Sequence, residues 1–181
     1  GITDGASALR AAHHLNLAHG LGAEAIRAST KVGSQVSVTL NLHQVRNAPG
    51  STVDAARQVE AVGNRVFTGP MLLGEYPSDL ISDTALITDW SFVLDGDLQH
   101  IAEPLDSIGV NYYHSELARP RTEAVSSGPH PMAAFPGCEN LEFVPYSPPL
   151  TDMGWNIDPN GFEDLLLAVH RDFPDLPIFV T

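Results

Sequence analysis

The chain opens on an alanine- and leucine-rich run, residues 7–28, that predicts an α-helix, with Asp4 placed to cap it. Gly20 and Gly22 weaken the second half of that helix and point to close packing there. The period then switches to two. Over residues 34–43, Val36, Val38, Leu40 and Leu42 share one face of a strand, while Ser37, Thr39, Asn41 and His43 share the other. Asn47-Ala48-Pro49-Gly50 reads as a turn. Ser51, with Asp54 three residues on, gives a capping-box-like start to a helix reaching Phe67. Pro70 and Pro77 bracket a loop, and Ser78 is placed to cap a short helix carrying Leu80, Ile81 and Leu86. Asp95-Gly96-Asp97 introduces a further helical stretch that ends near Pro104.

Residues 108–113 predict a second, buried strand. Residues 114–150 hold seven of the fourteen prolines, a density in which no regular element is expected, so they read as a long surface loop. Asn160-Gly161 opens a helix from Phe162 to Phe173, with Leu165, Leu166, Val169 and Phe173 at helical spacing, and Pro177 leads into a last strand at 178–181. Strands alternating with helices, without repeat or linker, predict an α/β fold with parallel strands and crossover helices. The two-faced first strand decides between versions of that fold. A doubly wound sheet buries both faces and prefers an apolar run. A (β/α)8 barrel sends apolar side chains out to its helices and polar ones inward, towards a site at the C-terminal mouth. Asn41 and His43, then Asn111 and Tyr113, stand at the C-terminal ends of their strands, which favours the barrel.

Composition narrows the partners. The 181 residues are 43% hydrophobic and carry 22 acidic against 9 basic side chains, a formal charge of −13. The first 90 residues hold 6 basic and 8 acidic groups and the remainder 3 and 14. One lysine, Lys31, and eight unclustered arginines do not make the basic surface that nucleic acid requires. No apolar stretch approaches the roughly 20 residues of a membrane helix. A lone cysteine, Cys138, excludes an intramolecular disulfide and a cysteine-rich zinc site, and points to a reducing, cytoplasmic compartment. The chain starts at Gly1 without methionine and stops at Thr181 in mid-strand, so both ends read as cut from a longer domain.

Candidate chemistry is sparse. His13, His14 and His19 lie on the first helix, but His14 and His19 are about 140° apart around it and no glutamate sits between them at metal-ligand spacing. They read as packing residues with satisfied nitrogens. No nucleophile-elbow motif supports a Ser/His/Asp triad. Paired carboxylates for sugar hydrolysis would need to stand at strand C-termini, and none of the strands presents one. Asn111 and Tyr113, two apart on one strand, point the same way and offer donors to a carboxylate or a sugar hydroxyl. The same pair also reads as an aromatic plug in a core.

Several segments, in order, carry a resemblance: Ala11-Ala12-His13-His14-Leu15-Asn16-Leu17-Ala18-His19-Gly20, Val38-Thr39-Leu40-Asn41-Leu42, Gly74-Glu75-Tyr76-Pro77 and Asp95-Gly96-Asp97-Leu98. They continue with Ile108-Gly109-Val110-Asn111-Tyr112-Tyr113, Thr151-Asp152-Met153-Gly154-Trp155, and Asn160-Gly161-Phe162 leading to Leu176-Pro177-Ile178-Phe179-Val180-Thr181. Together the chain resembles glycoside hydrolase family 1, the β-glucosidase family. Two departures stand out: Gly69-Pro70 where the family usually has Asp-Pro, and Gly154-Trp155-Asn156 where it has Gly-Trp-Glu.

The resemblance implies part of a single (β/α)8 barrel domain, strands five to seven with their helices, and retaining hydrolysis of terminal β-linked glucose by two glutamates. It implies no metal or organic cofactor and a small-molecule β-glucoside as partner. In the family the acid/base glutamate lies in a Thr-x-Asn-Glu-Pro motif shortly before the paired-histidine helix, hence upstream of Gly1. The nucleophile lies in a Thr-Glu-Asn-Gly motif whose threonine matches Thr181. The 181 residues alone are therefore expected to be inactive. Tyr113 matches the family tyrosine that hydrogen-bonds the nucleophile, Asn111 its inward-facing neighbour, and Asn41 a polar residue near the aglycone side. The loop at 114–150 would overhang the mouth. Two other readings stay open: a non-catalytic sugar-binding module derived from the same barrel, and an unrelated α/β enzyme.

Overall fold

Helix α1 (Gly5–Ser29) forms where its composition predicts it, and the Asp4 carboxylate accepts the Ser7 N–H at 2.8 Å as its N-cap. The computed structural model describes residues 4–30, 33–51, 53–122, 132 and 134–181; Lys31 and the prolines at 129 and 131 lie outside the described residues. Gly20 is where α1 packs closest: a Cβ there would lie 2.0 Å from the carbonyl oxygen of His100. Gly22 has open space around it and plays no such part.

Three strands form a parallel sheet in the order β1 (Ser37–Asn41), β3 (Ser107–Asn111), β6 (Ile178–Val180). Asn41 pairs with Asn111, and Ile108 with Ile178. The apolar face of this sheet meets helix α6 (Pro159–Asp172): Leu42, Ile108, Val110, Leu165 and Val169 make a buried cluster, flanked by Val38, Leu40 and Phe173. Ser37, Thr39 and Asn41 stand exposed on the other face, so the alternation seen along the strand is realised as two unlike sheet surfaces.

The strand expected over 34–43 is shorter than its pattern. It ends at Asn41, and Gln44–Asn47 form a separate strand, β2, in a second sheet. That sheet pairs β2 in parallel with β4 (Ser115–Pro120), and β4 antiparallel with β5 (Leu141–Phe143). The expectation that no regular element survives in 114–150 is therefore corrected. Residues 115–119 contain no proline, and Pro120 closes β4 at its last position, where a missing N–H disturbs the ladder least. β2 and β4 cover a second apolar cluster that includes Leu9, Val59, Leu80, Trp90, Met132 and Leu141. Cys138 is buried in it as a free thiol, and burial pushes its pKa up to about 12, so it behaves as an inert apolar side chain.

The middle helix also differs from its expected form. Asp54, rather than Ser51, accepts the Arg57 N–H and caps α2 (Ala55–Glu60). The helix does not stop near Phe67. It runs on through a π-helical stretch (Ala61–Arg65), a short α segment α3 (Val66–Thr68) and a second π-helical stretch (Gly69–Leu73). Pro70 thus lies inside the helix rather than in a loop; it falls at the start of the second π stretch, where its missing N–H is tolerated. Gly74 in the left-handed conformation ends it. Helices α4 (Ser78–Asp83) and α5 (Asp97–Ile101) follow as expected, except that Ser78 is the first helical residue rather than the cap and Leu86 lies exposed beyond α4. The start of α6 is capped by Asp158, two residues before the Asn160 expected to open it.

Candidate active site

The C-terminal ends of β1, β3 and β6 bring together the polar groups picked out in the sequence. Asn41 and Asn111 are directly paired neighbours, the first exposed and the second half-buried. The Thr181 hydroxyl donates to Asn111 Oδ1 at 2.9 Å, so the last residue of the chain joins the same row. One step back, Gly109 leaves the room this row needs: a Cβ there would lie 2.4 Å from the Thr39 hydroxyl oxygen and 3.2 Å from the Thr181 methyl.

Tyr113 is not in the strand as expected. β3 ends at Asn111, and the two tyrosines beyond it diverge. Tyr112 turns towards α6, stacking on Phe162 with ring centroids 5.1 Å apart and donating to the Asp158 carbonyl at 2.9 Å. Tyr113 is 54% exposed and meets Trp155 edge-on at 5.6 Å. Among the described residues its hydroxyl has no hydrogen-bond partner, and it stands free to serve a ligand. Trp155 in turn lies 5.4 Å from the His114 ring, whose Nδ1 bonds the Tyr146 hydroxyl at 2.9 Å. Burial pushes the Tyr146 hydroxyl up to about 12, so it keeps its proton beside that imidazole. Trp155, His114 and Tyr146 were not among the residues expected at the site. Trp155 carried a signal in the Thr151–Trp155 segment; the other two follow no periodic pattern and come from the link between β3 and β4 and from the segment after β5.

Beneath this aromatic cluster sits an ionic knot. Asp158 caps α6 by accepting the Gly161 N–H at 2.9 Å, accepts the Ser115 hydroxyl, and pairs with Arg46 Nη1 at 2.8 Å. Asn156 Nδ2 donates to the same Ser115 hydroxyl at 3.0 Å. These bonds, led by that from Ser115 and followed by Arg46, hold the Asp158 carboxyl down at about 2. A lowered folded-state pKa means the stabilisation is present above the ordinary value of 3.8 and is lost as pH falls through the folded value. Between about pH 4 and pH 2 the protein is therefore expected to lose on the order of 2 kcal/mol from this group. Asp158→Asn should remove that part of the pH dependence in urea unfolding followed across the window; an unchanged slope would show that Asp158 is not responsible.

The first helix offers no metal site. His13 is fully buried with Nδ1 on the Tyr76 hydroxyl and Nε2 on Asp97, both at 3.0 Å. His14 is exposed, and His19 Nε2 is buried without a partner among the described residues, so the packing role with satisfied nitrogens holds for His13 and not for His19. No cluster of three or more His, Cys, Asp or Glu is arranged to hold a metal among the described residues. Arginines are committed to carboxylates: Arg46 to Asp158 and Asp164, Arg57 to Asp79 and Asp83, Arg65 to Glu60 and Asp79. Among the described residues no helix is long and apolar enough to cross a membrane.

A parallel sheet with helices on its apolar face and polar groups gathered at its strand C-termini is the arrangement of an α/β enzyme site. The chain belongs to glycosyl hydrolase family 1, whose model matches residues 1–181. It is 42% identical over 181 residues to a bifunctional β-D-glucosidase/β-D-fucosidase of Bifidobacterium breve, covering all of this chain and 38% of that protein. It is 34% identical over 174 residues to thermostable β-glucosidase B of Thermobispora bispora, covering 95% of this chain and 34% of the relative. The crystal structure of a psychrophilic β-glucosidase from Micrococcus antarcticus superimposes with a TM-score of 0.86 at 35% identity, over 98% of this chain and 40% of that one. The chain thus spans well under half the length of the relatives it matches.

Proposed function

We propose that these residues form strands five to seven of a (β/α)8 barrel in a retaining β-glucosidase, with β1, β3 and β6 as those strands and their polar face turned to the barrel interior. The observation that carries this reading is the row Asn41–Asn111–Thr181, with Tyr113 above it, at the C-terminal ends of three hydrogen-bonded parallel strands. The family's two glutamates lie outside these residues: the acid/base before α1 and the nucleophile directly after Thr181. One glutamic acid protonates the departing glycosidic oxygen. The other, about 5 Å away, attacks the anomeric carbon to form a glycosyl-enzyme, which water then hydrolyses with the first acting as base.

The groups present here orient that chemistry. The free Tyr113 hydroxyl donates to the nucleophile carboxylate, holding it ionised and in line. Asn111, braced by Thr181, and Asn41 present amides to sugar hydroxyls. The edge-on ring pair of exposed Tyr113 and half-buried Trp155 gives an apolar wall against which a sugar face or aglycone rests.

The complete protein should release glucose from p-nitrophenyl β-D-glucoside with the β-anomer appearing first by proton NMR. First appearance of the α-anomer, or no hydrolysis, overturns the reading. The 181-residue chain alone should release none; hydrolysis by it would show that the reacting carboxyls lie within it.

A further inference from the structure

Between β1 and β2 the chain passes from one sheet to the other, and the residue at the crossing is His43. The β1–β3 ladder reaches its end with the Leu42 N–H on the Asn111 carbonyl at 3.2 Å. His43 has no strand partner. Its N–H donates instead to Asn64 Oδ1 at 2.8 Å, and its carbonyl accepts from Asn64 Nδ2 at 2.8 Å. One buried side-chain amide, 5% exposed, therefore satisfies both backbone groups of the crossing residue.

Asn64 reaches His43 from the first π-helical stretch, Ala61–Arg65, where the widened turn presents two consecutive residues to the same target. Asn64 takes the backbone, while Gly63 faces the ring: a Cβ on Gly63 would lie 3.2 Å from His43 Cδ2 and 3.3 Å from Phe135. The imidazole is also set against Phe135, edge-on at 5.4 Å, and 3.5 Å from Glu116 Oε2. The crossing is gripped from the helix layer, and two residues before it stands Asn41.

We propose that Asn64 is a positioning residue for the substrate site: by holding His43 it sets where β1 ends and so fixes the Asn41 amide beside Asn111. Its effect on catalysis rests on the function proposed above; the clamp itself does not. A loop-like crossing without this amide would leave two backbone groups unpaired and let the end of β1 shift. An ångström of misplacement at a site can cost roughly 10²-fold in rate, and a shift transmitted through two residues should cost about tenfold.

The test uses the complete protein as wild type, Asn64→Ala, Asn64→Asp, Asn41→Ala and the Asn41→Ala/Asn64→Ala double variant. Deuterium exchange in the peptide containing His43 should be about tenfold faster in Asn64→Ala, and less so in Asn64→Asp, which keeps an acceptor for the His43 N–H. kcat/KM for p-nitrophenyl β-D-glucoside should fall about tenfold in Asn64→Ala, by less in Asn64→Asp, and no further in the double variant than in Asn41→Ala alone. Should Asn64→Ala fail to fold, Asn64→Asp and its double variant with Asn41→Ala carry the comparison. Unchanged exchange at His43, unchanged kcat/KM in folded variants, or losses that multiply in the double variant each overturn the proposal. A wild-type protein that leaves β-glucosides intact defeats the proposed function instead, while the exchange result still decides whether Asn64 holds His43.

Discussion

Tyr113→Phe in the complete protein is expected to lower kcat for p-nitrophenyl β-D-glucoside by about 10²-fold, the scale on which a single transition-state hydrogen-bond donor acts. The change removes one oxygen and keeps the ring. That ring is half-exposed and meets Trp155 edge-on, and its hydroxyl bonds nothing among the described residues. Folding stability should therefore stay within about 0.5 kcal/mol of wild type, as for other surface substitutions. The loss should fall on kcat more than on KM, because a carboxylate turned out of line weakens the attack rather than the docking of sugar. A variant whose kcat stays within threefold of wild type would remove Tyr113 from the role proposed for it.

His13→Leu is expected to destabilise the complete protein by about 3–4 kcal/mol without touching the site. His13 is fully buried at the centre of a chain of hydrogen bonds. Asn16 Nδ2 donates to the Tyr76 hydroxyl at 3.3 Å, that hydroxyl meets His13 Nδ1 at 3.0 Å, and His13 Nε2 meets Asp97 at 3.0 Å. Whichever group donates between the Tyr76 hydroxyl and Nδ1, the bond to the Asp97 carboxylate requires a proton on Nε2. Asp97 is itself held low, mainly by the Leu94 N–H and then by His13, which makes it a strong acceptor for that proton. Burial pushes the Tyr76 hydroxyl up to about 12, so it remains a donor. Leucine would fill the space but remove one hydrogen bond from the buried Tyr76 hydroxyl, which keeps only Asn16, and one from Asp97 Oδ2, which keeps only the Leu94 N–H. Urea unfolding against wild type and the exposed-site control His14→Leu measures the difference; a cost under 1 kcal/mol would show that the chain of bonds is dispensable.

The helices were legible because their causes are local. The run at 7–28 and its Asp4 cap sit within a few turns of one another, and α1 matches them to within two residues at its start and one at its end. The two-faced first strand was legible for the same reason, since a period of two is a property of the residues themselves. Cap positions were less so. Asp54 and Asp158 displaced the expected Ser51 and Asn160 because an N-cap is selected by where the first turn packs, and both carboxylates also serve distant or neighbouring partners, Asn47 and Arg46. The passage of the helix through Pro70 could not be read either. A proline is a stop signal unless the turns around it widen, and widening depends on what the helix packs against.

The sequence by itself determined where most helices and the three strands of the first sheet lie, which face of the first strand is apolar, and which polar residues fall at strand ends: Asn41 and Asn111 reach the candidate site by alternation alone. The tertiary structure decided how those ends are used. It broke the first strand at His43, built a second sheet by pairing β2 with β4 and adding β5, both from the proline-rich region, sent Tyr112 and Tyr113 to opposite sides, and placed Trp155 against Tyr113. The division has a physical basis. Periodicity and capping arise between residues a few positions apart, whereas strand pairing, the grip of Asn64 on His43, and the aromatic contacts join residues from 21 to 42 or more positions apart. Such contacts form only when the whole set of faces is buried together, so no single segment carries their signal.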